Sequence, residues 1–156
     1  MTSFLLLKAL HVVGATVLFG TGAGIAFFML MAHRTRDPRI IAHTAGVVVI
    51  ADTLFTATAV VFQPITGGLL AAMAGYPILH GWVLLSLILY VVVGAFWLPV
   101  VWMQLRMRDL ARQAVAKATP LPPAYHRLWR FWFVSGFPAF AAVAAIIWLM
   151  ISKPSF

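Results

Sequence analysis

The stretch "FLLLKALHVVGATVLFGTGAGIAFFMLMA", residues 4–32, decides the fold. It contains one lysine and one histidine, and nearly all of its other residues are apolar or small. About 20 consecutive apolar residues are enough for a helix to cross the hydrocarbon core of a bilayer. The run is longer than that, and it therefore predicts a membrane-spanning helix near the start of the chain.

The rest of the chain has the composition of a membrane protein. Of its 156 residues, 63% are hydrophobic and only 9% are charged. Further apolar runs predict helices over about 40–62, 77–105 and 127–152. The sequence thus predicts a single all-α domain over residues 1–156, an up-down-up-down bundle of four transmembrane helices whose main partner is the lipid bilayer.

The positive charges indicate the orientation of this bundle. Nine of the 11 lysines and arginines flank the first and third connections: Arg34, Arg36, Arg39, Arg106, Arg108, Arg112, Lys117, Arg127 and Arg130. Only Lys8 and Lys153 lie toward the other side. Because cytoplasmic segments carry the excess of lysine and arginine, both termini are predicted on the non-cytoplasmic side. Basic residues that flank spans report topology, and no nucleic-acid partner is expected.

The aromatic and turn residues refine this prediction. Tryptophans are predicted to anchor the helices at the two interfaces: Trp82 and Trp148 on the outer side, Trp97, Trp102, Trp129 and Trp132 on the inner side. Gln63 with Pro64 is predicted to end the second helix, because proline removes a backbone donor. Residues 106–126 are predicted to form an amphipathic connection that lies on the membrane surface.

Three ionisable residues within the predicted spans are candidates for a functional role: His11, Asp52 and His80. Such residues are costly in a bilayer and often functional. His11 and His80 lie in the outer halves of the first and third helices, at depths that differ by about one turn, and two such imidazoles could hold a b-type haem. Alternatively, each ring bonds to interfacial water or to a carbonyl of a neighbouring helix. The other histidines are expected to be solvated: His33, His43 and His126.

Asp52 lies near the middle of the second predicted helix. It is followed by Thr53, Thr56 and Thr58. The carboxyl group could bond to Thr56 one turn on and join helices, or it could relay protons or face a cofactor. The sequence leaves these alternatives open.

Four quoted patterns extend the interpretation to nearly the whole chain: "KALHVVGATVLFGTG", "ILHGW", "FWLPVVWMQLRMRDLA" and "GFPAF…LMISKP". With them the chain resembles a bacterial family of predicted integral membrane proteins with a domain of unknown function. That family is in turn similar to the HemJ-type protoporphyrinogen oxidases and, more distantly, to CopD membrane domains. The shared features are Lys8 with His11, His80, Pro138, and Lys153 with Pro154. The resemblance implies a multi-pass protein of the bacterial inner membrane.

What the HemJ-type relatives imply is a b-type haem in a four-helix core and the oxidation of a porphyrinogen. The chain departs from them at Trp82, where they have a lysine, and at Gly136 and Phe137, where they have Asn-Glu. These departures remove polar groups that a porphyrinogen would use. The fold and the haem site are therefore carried over as expectations, and the reaction is not.

Three functions follow from these observations. The first is a haem b redox protein with His11 and His80 as axial ligands, Gly14 and Gly81 admitting the macrocycle, and Lys8 near the propionates. The second is a cofactor-free structural or assembly subunit that pairs with a second copy or with a membrane partner. The third is a proton-coupled transporter centred on Asp52, which the lack of an evident internal repeat disfavours.

Overall fold

The computed structural model describes residues 2–155 and consists of four long helices. They are α1 (Thr2–Thr35), α2 (Pro38–Met73), α3 (Gly81–Ala116) and α4 (Pro123–Ser152). Each of the four is long and apolar enough to cross a membrane. The prediction of an all-helical chain with four spanning helices is confirmed.

The prediction that α2 ends at Pro64 is wrong, because the helix continues to Met73. Proline lacks the N–H that would bond to the carbonyl four residues earlier, here that of Val60. The hydroxyl of Tyr90, on α3, donates to this Val60 oxygen. The carbonyl that Pro64 leaves free is therefore satisfied from a neighbouring helix, and the helix tolerates the proline.

The amphipathic segment after residue 105 also differs from its prediction. Residues 106–116 continue α3 as a regular helix, and residues 117–122 form the connection to α4. Met107 and Ala111 are fully buried on this extension. Its apolar face is covered by other helices of the same chain, which explains why it does not lie on the membrane surface.

The ends of the helices follow from local chemistry. Asp37 caps α2, where its Oδ1 accepts a hydrogen bond of 2.8 Å from the backbone N–H of Arg39. Pro38 follows at the first helical position, where its missing donor costs nothing. Gly81 opens α3 with a φ of +58°, a conformation that favours glycine. The backbone conformation of this turn is sufficient to explain a glycine at position 81, where the haem hypothesis had invoked space for the macrocycle.

The helices pack in the order of the chain: α1 on α2, α2 on α3 and α3 on α4, with a smaller contact between α1 and α4. The hydrophobic core lies where the basic ends of the helices meet. Its buried members are Ile25, Met29, Ala32, Ile41, Ala45, Val48, Met103, Met107, Ala111, Tyr125 and Trp132. Next to this core, toward the middle of the bundle, the packing opens into a cavity.

Candidate functional site

The candidate site begins with an irregular turn in the middle of α2. Residues Asp52–Thr56 form a π-helical segment, in which the N–H of Ala57 bonds to the carbonyl of Asp52 five residues earlier. Single π-helical turns inside α-helices are rare and are often found at functional sites. This turn places the side chains of Asp52 and Thr56 in the interior, where they are 5% and 6% exposed.

The Asp52 carboxylate is held by side chains from α3. Its Oδ1 accepts from Trp97 Nε1 at 3.4 Å. When the Gln104 amide is oriented with its nitrogen toward Asp52, the orientation that satisfies both of its neighbours, Oδ2 accepts from this nitrogen at 3.1 Å. In the same amide orientation, Gln104 accepts from Trp132 Nε1, on α4, at 3.3 Å. Both indole contacts are longer than the usual 2.9–3.0 Å, and a carboxylate offers about four acceptor positions. Asp52 therefore keeps acceptor capacity for a further donor.

A cavity of about 390 Å³ lies directly beside Asp52. All four helices contribute to its wall, which is almost entirely apolar; the polar residues Asp52, Thr56, Trp97 and Gln104 lie in this wall with their polar atoms nearly covered. Ligand pockets in proteins have volumes from about 300 Å³ upward and combine apolar walls with a few polar groups. The cavity has the size and the composition of a small-molecule site.

The hydroxyl of Thr56 is the unusual group in this wall. It is buried, and it has no hydrogen-bond partner within residues 2–155. Buried polar atoms are nearly always paired, because an unpaired one costs about 1–3 kcal/mol. The Thr56 side chain lies next to the Asp52 carboxyl group, but no hydrogen bond of ordinary geometry joins the two, and the Thr56 hydroxyl is covered by its neighbours at the cavity wall.

Aromatic rings form much of the remaining wall. Six of them border the cavity: Phe19, Trp97, Trp132, Phe133, Phe137 and Phe140. Phe19 and Phe137 are also 39% and 64% exposed, so the side of the cavity between α1 and α4 borders the surface.

His11 is buried on the face of α1 that packs against α2. Its Nδ1 lies 2.7 Å from the hydroxyl of Thr66, which itself donates to the carbonyl of Phe62 at 2.8 Å. Because the hydroxyl hydrogen of Thr66 is directed to the Phe62 carbonyl, the hydroxyl oxygen of Thr66 accepts a hydrogen bond from Nδ1 of His11. The other ring nitrogen, Nε2, then carries a free lone pair. Gln63 donates to the backbone carbonyl of His11 at 2.9 Å. The ring thus contacts a neighbouring helix through the hydroxyl of Thr66, whereas the sequence interpretation had named a carbonyl as the partner.

The other residues predicted at a haem site have separate surroundings. His80 and Lys8 are exposed, and His80 directly precedes α3. Gly14 lies against Gln63, whose Nε2 would be 2.5 Å from a Cβ at that position. Neither His11 nor His80 borders the cavity beside Asp52. Haem binding by His11 and His80 stays a prediction.

A cluster of three or more metal-ligating side chains is likewise not found in the described part of the chain. His33 was expected to be solvated, but it is half-buried and stacks on Trp129, with ring centroids 3.8 Å apart. Its Nδ1 lies 3.4 Å from the hydroxyl of Tyr125. His43 and His126 are exposed, as expected.

Sequence reasoning missed three members of the site. Trp97 and Trp132 were assigned to the interface, yet Trp132 is 5% exposed and both indoles point to the Asp52 and Gln104 side chains. Gln104 was not considered, although a glutamine inside a predicted span is itself a costly polar residue. The spacing of these residues could have revealed them, because residues seven apart, such as Trp97 and Gln104, lie on the same face of a helix.

These observations define a multi-pass integral membrane protein with a polar site buried between its helices. Residues 5–154 match the family described as "Predicted integral membrane protein (DUF2269)", and the chain belongs to that family. No curated protein and no solved structure matches the chain.

Proposed function

We propose that this protein binds a small, mostly apolar molecule with one polar group in the cavity beside Asp52. The observation that carries the proposal is Thr56, which borders a cavity of about 390 Å³ and whose buried hydroxyl lacks a hydrogen-bond partner among the described residues. A ligand group that bonds to Thr56 would remove the cost of this unpaired hydroxyl.

Two further observations support the proposal. Among residues 2–155, the neighbouring Asp52 carboxylate has Gln104 at 3.1 Å and Trp97 at 3.4 Å as its side-chain donors, and both are neutral. The cavity also borders the surface between α1 and α4, where Phe19 and Phe137 are exposed to the bilayer. An apolar molecule that partitions into the membrane can therefore enter without crossing the packed core at the basic ends of the helices.

The proposal is tested with adamantanol, a compact neutral probe that carries one hydroxyl. The protein is labelled with fluorotryptophan and reconstituted in nanodiscs, and the fluorine resonances are assigned with the Trp97→Phe and Trp132→Phe variants. Saturable shifts of the Trp97 and Trp132 resonances are expected, since both indoles border the cavity. The resonance of Trp148, which is 68% exposed, should report only partition into the bilayer.

A matched pair of glycine variants provides the control. Gly136 borders the cavity, and no atom of another helix lies within 4 Å of the place its Cβ would take. Gly136→Leu should therefore fill the cavity and abolish the saturable shifts. Gly20 also has open space around it, but it lies on the exposed face of α1, so Gly20→Leu should bind like the wild type. Equal binding by both variants would refute the proposal.

The proposed location is the inner membrane of a bacterium, with both termini outside the cytoplasm. This orientation is supported by the nine lysines and arginines near the first and third connections, which the positive-inside rule assigns to the cytoplasm. The family match supports membrane insertion but does not name the membrane. Pairing with a second copy or with a partner subunit stays a prediction.

Haem b binding by His11 is a second candidate function. One observation favours it, because ligating histidines usually bond through their other nitrogen, and Thr66 occupies Nδ1 of His11. The test is an absorption spectrum of the purified protein, oxidised and dithionite-reduced. A Soret band that is lost in His11→Ala would support this candidate and the resemblance to HemJ-type proteins. A colourless protein from haem-replete cells would contradict both.

A further inference from the structure

The charge of the cavity narrows the class of ligand, if the cavity binds a small molecule as proposed. Asp52 is the only ionisable residue among those that border it, and no lysine, arginine or histidine of residues 2–155 does so. The nearest partners of the carboxylate, Gln104 and Trp97, are neutral donors. The cavity thus offers one acidic group without a positive partner.

The aromatic walls of the cavity also favour a positively charged ligand. The face of an aromatic ring carries a negative partial charge, which attracts ammonium groups, and the attraction is strongest where water is excluded. Six aromatic side chains border the cavity, and Trp97 and Trp132 offer the ring type that binds cations best. Aromatic cages of this kind are a known means of binding quaternary ammonium groups.

We infer that the ligand is a lipophilic organic cation whose ammonium group pairs with the Asp52 carboxylate, while its apolar body lies against the aromatic walls. An ammonium with an N–H can also donate to the hydroxyl of Thr56. A buried charge is tolerated when it is paired, and the ligand would supply the charge that the protein lacks at Asp52. Cation and carboxylate therefore stabilise each other in a site where either alone is costly.

The test compares three adamantane derivatives of the same shape and different charge: adamantylamine as the cation, adamantanol as the neutral probe and adamantane carboxylate as the anion. Each is titrated into the fluorotryptophan-labelled protein in nanodiscs, with empty nanodiscs to correct for partition. Adamantylamine is expected to bind at least about tenfold more tightly than adamantanol, because its charge finds a partner in a water-poor site. The anion is expected not to bind.

Two variants separate the role of this carboxylate from a general change of charge. Asp52→Asn keeps the shape of the side chain and should remove the advantage of adamantylamine over adamantanol. Asp109→Asn is the matched control, since Asp109 pairs with Arg108 at 2.8 Å outside the cavity. It should leave the binding of all three probes unchanged.

A further variant tests the aromatic wall. Phe140→Leu removes one ring at similar volume and should weaken the binding of adamantylamine more than the binding of adamantanol.

The outcomes distinguish this inference from the proposed function. If adamantanol and adamantylamine bind equally in the wild type and in Asp52→Asn, the cavity is a binding site and the cation preference is refuted. If no probe shifts the Trp97 and Trp132 resonances, as when a lipid chain fills the cavity, both proposals are refuted. If the amine binds more tightly and Asp52→Asn abolishes the difference, both are supported.

Discussion

At the scale of single residues, Gln104 connects the polar groups of three helices. Its amide donates to Asp52 on α2 and accepts from Trp132 on α4, and the side chain is 3% exposed. An apolar residue at this position would leave the buried Trp132 indole without a partner and Asp52 with only the longer contact from Trp97. Leaving a buried polar group unpaired costs more free energy than an ordinary hydrogen bond contributes to stability.

Gln104→Leu is therefore expected to lower the free energy of unfolding by about 2–4 kcal/mol, as two buried groups each lose a hydrogen bond. Reversible unfolding in mixed micelles measures this change. Gln113→Leu is the matched control, because Gln113 is exposed on the same helix, and it should change stability by less than about 0.5 kcal/mol. Similar effects of the two variants would show that Gln104 does not connect the helices as described.

Two buried threonines of α2 should respond differently to the same substitution. Thr66 accepts from His11, so Thr66→Val should lower the free energy of unfolding by about 1–3 kcal/mol. The hydroxyl of Thr56 has no partner among residues 2–155, so Thr56→Val should leave stability unchanged or raise it by about 1 kcal/mol. The same unfolding assay measures both. A loss of stability in Thr56→Val would mean that the hydroxyl is paired in the membrane.

At the scale of elements, α2 combines two departures from regular helix geometry. It contains the π-helical turn at Asp52–Thr56 and the proline at position 64. At each of these two places, a group of α2 forms a hydrogen bond with a side chain of another helix. The first places Asp52 near Trp97 and Gln104, and the second leaves the Val60 carbonyl for Tyr90, so α3 contacts α2 at both places.

Substitutions of Tyr90 and Pro64 are predicted to have coupled effects on the free energy of unfolding. Tyr90→Phe should lower the free energy of unfolding by about 1 kcal/mol, because the Val60 carbonyl loses its donor. In the Pro64→Ala background the same substitution should cost less, since the new backbone N–H can bond to Val60. A double-mutant cycle of unfolding free energies measures the coupling. Additive effects would show that Tyr90 does not compensate for the proline.

At the scale of the whole molecule, the two ends of the bundle differ in charge and in packing. The hydrophobic core lies near the basic ends of the helices, and the cavity lies next to it. Residues 117–122 form the connection near the basic end, and residues 74–80 connect α2 and α3. The positive-inside rule assigns the first of these to the cytoplasm.

The chain contains no cysteine, so single cysteines can report this orientation. Leu79→Cys and Thr119→Cys place one thiol in each of the two connections, at positions that are exposed. A membrane-impermeant maleimide should label Leu79→Cys in intact cells and Thr119→Cys only after the membrane is opened. The reverse pattern would invert the proposed topology.

Much of the site was not predictable from the sequence. The cost of an aspartate in lipid singled out Asp52, and the structure places it at the cavity. Its partners on α3 and α4 depend on how each helix is rotated about its axis. Helices that are apolar on all sides carry no polar stripe that would reveal this rotation, and so Trp97 and Trp132 were assigned to the interface.

The sequence by itself determined the class of the protein and its four membrane-spanning helices, because these depend on the apolar content of each segment. Residues 4–32 predict α1 on that basis alone. Only the tertiary structure decided that α2 passes through Pro64, that Gln104 bonds to Asp52, and that an aromatic cavity lies beside them. These features arise from contacts between residues on different helices, and their partners are set by the packing of the bundle.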